Sequence, residues 1–167
     1  MPLLDLTPRV AVPGSLATYT RAGLIVPELR ERDTAGVISE LSVLLQRSGS
    51  VPDLLPFYHS ALNQELLTSS ALQNGIALPH ARSSGVKQLQ FAFGRTREPI
   101  MWGAKSAWPV QLIFLLAVPA TDAASYLHVL ASIAKLGQQH DCLAELRAAQ
   151  SPEQILAVLQ RIRIRQG

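Results

Sequence analysis

The sequence predicts an α/β protein: a three-layer α/β/α sandwich with a mixed central sheet. Two observations carry this expectation. Residues 110–118 are almost unbroken in apolar character and are bounded by Pro109 and Pro119, as expected of a strand buried on both faces. Around that block, segments with apolar residues at helical spacing interleave with short extended runs. At 167 residues, 48% apolar and 16% charged, the chain suits one globular domain with a substantial core.

Residues 1–22 are rich in Pro, Thr, Gly and Leu without a clean period, and read as an N-terminal extension with a short helical turn near Leu16. Residues 23–27 form an edge strand, since Pro27 would damage a central one. Asp33 or Thr34 caps a helix to about Gln46, with Val37, Leu41, Leu44 and Leu45 on one face. Ser50 and Asp53 resemble a capping arrangement for a second helix over about 52–67, with Pro52 in its first turn. Leu55, Tyr58, Leu62 and Leu66 point inward on that helix. Thr68-Ser69-Ser70-Ala71 is a polar approach to a short buried strand over 75–78. Pro79 marks the place where that strand leaves the sheet, and Ser83-Ser84-Gly85 is a loop.

Residues 89–94 alternate as a strand with Leu89, Phe91 and Phe93 on one face. A polar turn over 95–98 leads to a short extended piece over 99–102. After the central strand, Thr121 or Asp122 caps a helix to about Gly137, with Leu127, Leu130 and Ala134 inward. Asp141 caps a short helix to Ala149. Ser151, Pro152 and Gln154 form a capping box for the last helix, which turns Ile155, Val158, Leu159 and Ile162 inward.

Several function classes fall away. The longest apolar run, Leu112 to Ala120, is far short of the roughly 20 residues of a membrane helix, so no membrane insertion is expected. No basic region precedes an apolar block near the N-terminus, which argues against a secretory signal. Cys142 is the sole cysteine, so neither an intrachain disulfide nor a cysteine-rich metal site is expected. A cytoplasmic location is the default. The net charge of +3 owes much to Arg161, Arg163 and Arg165, which solvate the C-terminus, and no nucleic-acid-binding motif accompanies them. No metal ligand pair, nucleotide loop or serine elbow is present, and no cofactor is expected. His59 reads as a surface residue beside Tyr58, and His140 as a partner for a helix C-terminus.

The stretch with chemical promise is Gly75-Ile76-Ala77-Leu78-Pro79-His80-Ala81-Arg82. His80 sits at a strand end, on fixed backbone, with a ring nitrogen free to face solvent or a partner. Neutral imidazole is a nucleophile near pH 7, and a backbone carbonyl can fix its tautomer through the other nitrogen. A loop histidine without chemistry has the same spacing.

This octapeptide resembles the phosphohistidine signature of fructose/mannitol-type enzyme IIA domains of the bacterial sugar phosphotransferase system, with the closest match in the nitrogen-regulatory branch. The likeness runs from about Leu24 to about Leu159. It includes the central strand from Pro109 to Pro119 and the helix junction Leu146-Arg147-Ala148-Ala149-Gln150-Ser151. It implies a IIA-type domain over 23–167 and the same sandwich fold. It also implies that His80 accepts a phosphoryl group from the phosphocarrier HPr and passes it to an enzyme IIB cysteine domain or answers to a regulatory target protein.

Two supporting positions depart from the family pattern. Without gaps, an arginine in a Thr-Arg-Glu triplet becomes Gln64 in Asn63-Gln64-Glu65. A histidine on the helix after the central strand becomes Tyr126, and His128 stands about 200° around that helix. Gln64 and Tyr126 donate hydrogen bonds but carry no charge at pH 7. Arg82 is the nearest replacement cation, with a solvated loop arginine as its plain alternative. Two readings follow: a regulatory phosphocarrier acting through His80, or a IIA-like binding module that has lost efficient transfer.

Overall fold

A computed structural model describes residues 14–103 and 108–164. Its sheet contains β1 (Ile25–Val26), β2 (Ile76–Ala77), β3 (His80–Ser83), β4 (Gln90–Met101) and β5 (Pro109–Pro119). The helices are α1 (Thr34–Arg47), α2 (Leu54–Leu67), α3 (Ala123–Leu136), α4 (His140–Ala148) and α5 (Pro152–Gln160). The sheet is mixed: β1 runs parallel to β4, β4 antiparallel to β5, and β2 and β3 both parallel to β5.

β5 organises the layers. Leu112, Phe114, Leu116 and Val118 enter one core with residues of α3, α4 and α5. Ile113, Leu115 and Ala117 enter the other with residues of α1 and α2. This is the period-2 alternation of a strand covered on both faces, and the sandwich expected from sequence is the fold observed. Phe114 sits between Phe91 and Phe93, with ring centroids at 5.5 and 5.0 Å, in tilted and edge-on contacts that suit aromatic quadrupoles. β4 is longer than residues 89–94 because the chain irregularity between Arg95 and Ile100 bends the strand without ending it.

Part of the stretch read as an extension packs on this body. Leu16 is fully buried and Ala17 buried beside it, and the Leu16 N–H donates to the Ile162 carbonyl at 2.9 Å. Residues 1–13 and Arg165 lie outside the described residues.

Two caps were placed otherwise than expected. α2 begins after Asp53, while the Ser50 hydroxyl is bonded to Gln90 instead. α4 begins at His140 with Gln139 as its cap residue, so exposed His140 opens a helix and does not close one. Ser151 caps α5 as expected, accepting the Gln154 N–H at 3.1 Å, and only the return bond differs, the Gln154 side chain accepting from the Gln150 N–H at 2.7 Å and not from that of Ser151.

Two helix faces also differ. α2 buries Phe57, Ala61 and Glu65, leaving Leu55 and Leu66 exposed and Tyr58 and Leu62 at the margin. The small side chains of Ala61, Ala77 and Ala81 share one core there, which allows the helix to lie close to the strand. α3 buries Tyr126, Val129, Ile133 and Leu136, whereas Leu127 and Ala134 face outward. Both helices carry apolar residues on more than one face, so periodicity alone does not settle which face turns inward.

Asp122 caps α3 by accepting the Ser125 N–H at 3.1 Å. Asp122→Ala is expected to cost about 1 kcal/mol of stability, read as a lowered midpoint in urea denaturation. An unchanged midpoint would show that the α3 N-terminus is held by packing alone.

Candidate functional site

β2 and β3 act as one interrupted edge strand. Ile76 lies opposite Leu112 and His80 opposite Leu116, so no residue is gained or lost across the gap. Pro79 has no N–H for the ladder, but its carbonyl still accepts the Leu116 N–H at 2.9 Å. The chain therefore does not leave the sheet at Pro79; pairing resumes at once with His80. The Leu78 N–H turns away from the ladder and donates to Ser70 Oγ at 2.9 Å.

Alternation along β3 puts His80 and Arg82 on one face and Ala81 on the other. Ala81 belongs to the core shared with α1 and α2, and Tyr126 to the core on the α3 side. His80 is half-buried. Its Nδ1–H donates to the Leu78 carbonyl at 3.1 Å, which leaves the Nε2 lone pair as an acceptor. The Tyr126 hydroxyl donates to that Nε2 at 2.8 Å, with the two ring centroids 5.1 Å apart. Arg82 completes the group, its Cζ 5.7 Å from the Tyr126 ring centroid.

Three of the sequence-predicted site residues thus meet: His80, Tyr126 and Arg82. Gln64 is exposed on the last turns of α2, the helix that packs against β3, and its carbonyl accepts the Thr68 N–H at 2.9 Å. His128 shows no hydrogen bond to His80; its carbonyl accepts the Ser132 hydroxyl at 2.9 Å. The ungapped register that pairs Tyr126 with His80 is the one the fold realises. Pro79 and Ala81 are buried, so they do not frame the surface around His80. The exposed apolar side chain next to this group in sequence is Leu127, 60% exposed.

Burial pushes the Tyr126 phenol above its ordinary value, and the Arg82 charge pulls it partly back. The neutral phenol is therefore the form present at neutral pH, and it stays a donor to His80 beyond a pH of about 10. Because the folded-state value is raised, the associated stability is present below the unfolded value and is lost as pH rises through the folded one. Arg82→Ala is expected to move the Tyr126 transition further up in an ultraviolet titration of phenolate, with Tyr126→Phe identifying that transition. An unmoved transition would mean that the guanidinium does not act on the ring.

Among the described residues, no group of three His, Cys, Asp or Glu side chains could hold a metal ion. No helix among them is long and apolar enough to cross a membrane. Sequence reasoning missed a buried carboxylate close by in sequence: Glu65, next to Gln64, is 2% exposed and bonded to Ser70. A carboxylate on an otherwise apolar helix face was its available signal.

Residues 18–162 match the family model for the phosphoenolpyruvate-dependent sugar phosphotransferase system, EIIA 2. The fold is similar to the nitrogen regulatory protein IIA-Ntr of Neisseria meningitidis, at 30% identity and a TM-score of 0.72, covering 86% of this chain and 98% of that one. The nitrogen regulatory protein of Escherichia coli is 32% identical over 124 residues, 74% of each chain. The fructose-specific EIIABC component of Bacillus subtilis is 24% identical over 131 residues, which make up 78% of this chain and only 21% of that protein. Family match and overall fold agree, and the chain belongs to the EIIA 2 family of the phosphoenolpyruvate-dependent sugar phosphotransferase system.

Proposed function

We propose that this protein is a cytoplasmic IIA-type phosphocarrier with a regulatory role, in which His80 Nε2 accepts a phosphoryl group from an HPr-type phosphocarrier. The observation that carries the reading is the tautomer: Nδ1–H is committed to the Leu78 carbonyl, and the Nε2 lone pair points at the Tyr126 hydroxyl. In the transfer, the N–P bond of the donor imidazole breaks and its electron pair returns to that nitrogen, while Nε2 forms the new N–P bond. The Nδ1 proton stays on His80, and the resulting positive ring is held by the carbonyl dipole. Tyr126 then shifts its hydrogen bond from Nε2 to a phosphoryl oxygen, and Arg82 supplies positive charge nearby. Such transfer asks the protein for position and for donors aimed at the equatorial oxygens. The recipient is an enzyme IIB cysteine domain or a regulatory target, and the likeness to nitrogen regulatory proteins favours regulation.

The second reading is a binding module that has lost efficient transfer. It is favoured by Gln64 and Tyr126, which bring no charge where the family pattern has Arg and His. The experiment that separates the two is incubation with phosphoenolpyruvate, enzyme I and HPr, followed by intact-mass measurement. A single phosphoryl adduct on the wild type that is absent from His80→Ala supports the carrier. An unmodified wild type beside a phosphorylated relative in the same mixture favours the binding module.

A further inference from the structure

Glu65 is a buried carboxylate outside the His80–Tyr126–Arg82 group, and its bonds lead back to it. At 2% exposure, it accepts the Ser70 N–H at 2.7 Å and the Ser70 hydroxyl at 2.8 Å. It also accepts the indole N–H of Trp102, which is itself fully buried. With its proton committed to Glu65, the Ser70 oxygen has lone pairs left for the Leu78 N–H, at 2.9 Å. Leu78 is the residue whose carbonyl receives His80 Nδ1–H. Every donor in the chain points the same way: His80 to Leu78, Leu78 to Ser70, Ser70 to Glu65. The N–H and C=O of Leu78 lie on opposite sides of its Cα, so the link works by fixing that residue in place.

Its location explains why a fixture is needed. Leu78 falls in the gap between β2 and β3, where Pro79 breaks the ladder. A main-chain N–H there needs a partner from outside the sheet. A carboxylate held by buried donors is a rigid anchor, because hydrogen bonds to a charged acceptor are stronger than neutral ones. The geometry points to Glu65 as a positioning residue for phosphoryl acceptance: through Ser70 it holds Leu78, whose carbonyl commits His80 to the Nδ1–H tautomer and leaves Nε2 as the nucleophile. This rests on the reading of His80 as phosphoacceptor, but the tautomer is measurable without any phosphoryl donor.

The test is long-range proton–nitrogen NMR of His80 in its neutral form, on the full chain. The wild type is expected in the Nδ1–H tautomer. Ser70→Ala removes the link while sparing the Ser70 N–H bond to Glu65, and is expected to populate the Nε2–H form. Glu65→Ala, where it folds, should do the same, because it removes both carboxylate oxygens within reach of the Ser70 hydroxyl. Ser70→Thr keeps a hydroxyl and should restore the wild-type tautomer. Ser69→Ala loosens the same loop by removing the acceptor of the Ala71 N–H, and should leave the tautomer unchanged. Phosphoryl acceptance should fall about tenfold with Ser70→Ala, the size of one lost hydrogen bond. A folded Ser70→Ala with the wild-type tautomer overturns the inference, as does an equal shift with Ser69→Ala. A tautomer that shifts as expected in a protein that is never phosphorylated supports the link and overturns only the carrier reading.

Discussion

Combining Gln64→Arg with Tyr126→His is expected to speed phosphorylation of His80 by about 10- to 1,000-fold, given that one well-placed donor is worth roughly 100-fold or more. The transferred phosphoryl group spreads negative charge over its equatorial oxygens, and neutral donors answer it less well than charged ones. Tyr126 already stands against His80, 2.8 Å from Nε2, so a histidine there places a chargeable ring against the same face. Gln64 sits on α2, which packs on edge strand β3, and the longer arginine reaches from there toward the strand edge. Single-turnover rates with phosphorylated HPr would measure the gain for each single change and for the pair. The whole gain arising from Tyr126→His alone would remove position 64 from the site. No gain from the pair, with folding intact, would mean that Arg82 already supplies the needed charge.

Phosphorylated His80 is expected to release a partner that the unmodified site holds, with affinity falling by more than 100-fold. The phosphoryl group brings a charge approaching roughly −2 to a half-buried position. Tyr126 gives it only a neutral donor and Arg82 is exposed, so much of that charge remains unneutralised when a partner surface covers it. A buried charge left without its partner typically costs about 3–5 kcal/mol. Exposed Leu127, beside Tyr126 in sequence, gives such a partner apolar surface to cover while the site is neutral. Wild type, His80→Ala and His80→Asp immobilised as baits would test this, with the aspartate as a partial charge mimic. The partner recovered with His80→Ala should be lost with His80→Asp. Equal recovery by both would show that the His80 surface is not the switch.

By itself the sequence determined the sandwich and pointed to His80 as the candidate site residue. The apolar block of β5 requires cover on both faces, and the even and odd residues do separate into two cores. The caps at Asp33, Asp122 and Ser151 were legible because a side-chain oxygen three residues before a free N–H is a local event. The pairing of His80 with Tyr126 was legible only through register and resemblance. Periodicity alone pointed to the face of Leu127, Leu130 and Ala134. Tertiary structure decided the rest. It turned α2 and α3 on their axes, because helices apolar on several sides are oriented by what they pack against. It carried the strand past Pro79, because a missing N–H removes one ladder bond but not the register. It buried Glu65, because the Trp102 indole, distant in sequence, meets it there beside Ser70. A carboxylate's burial depends on donors that meet only when the chain has folded.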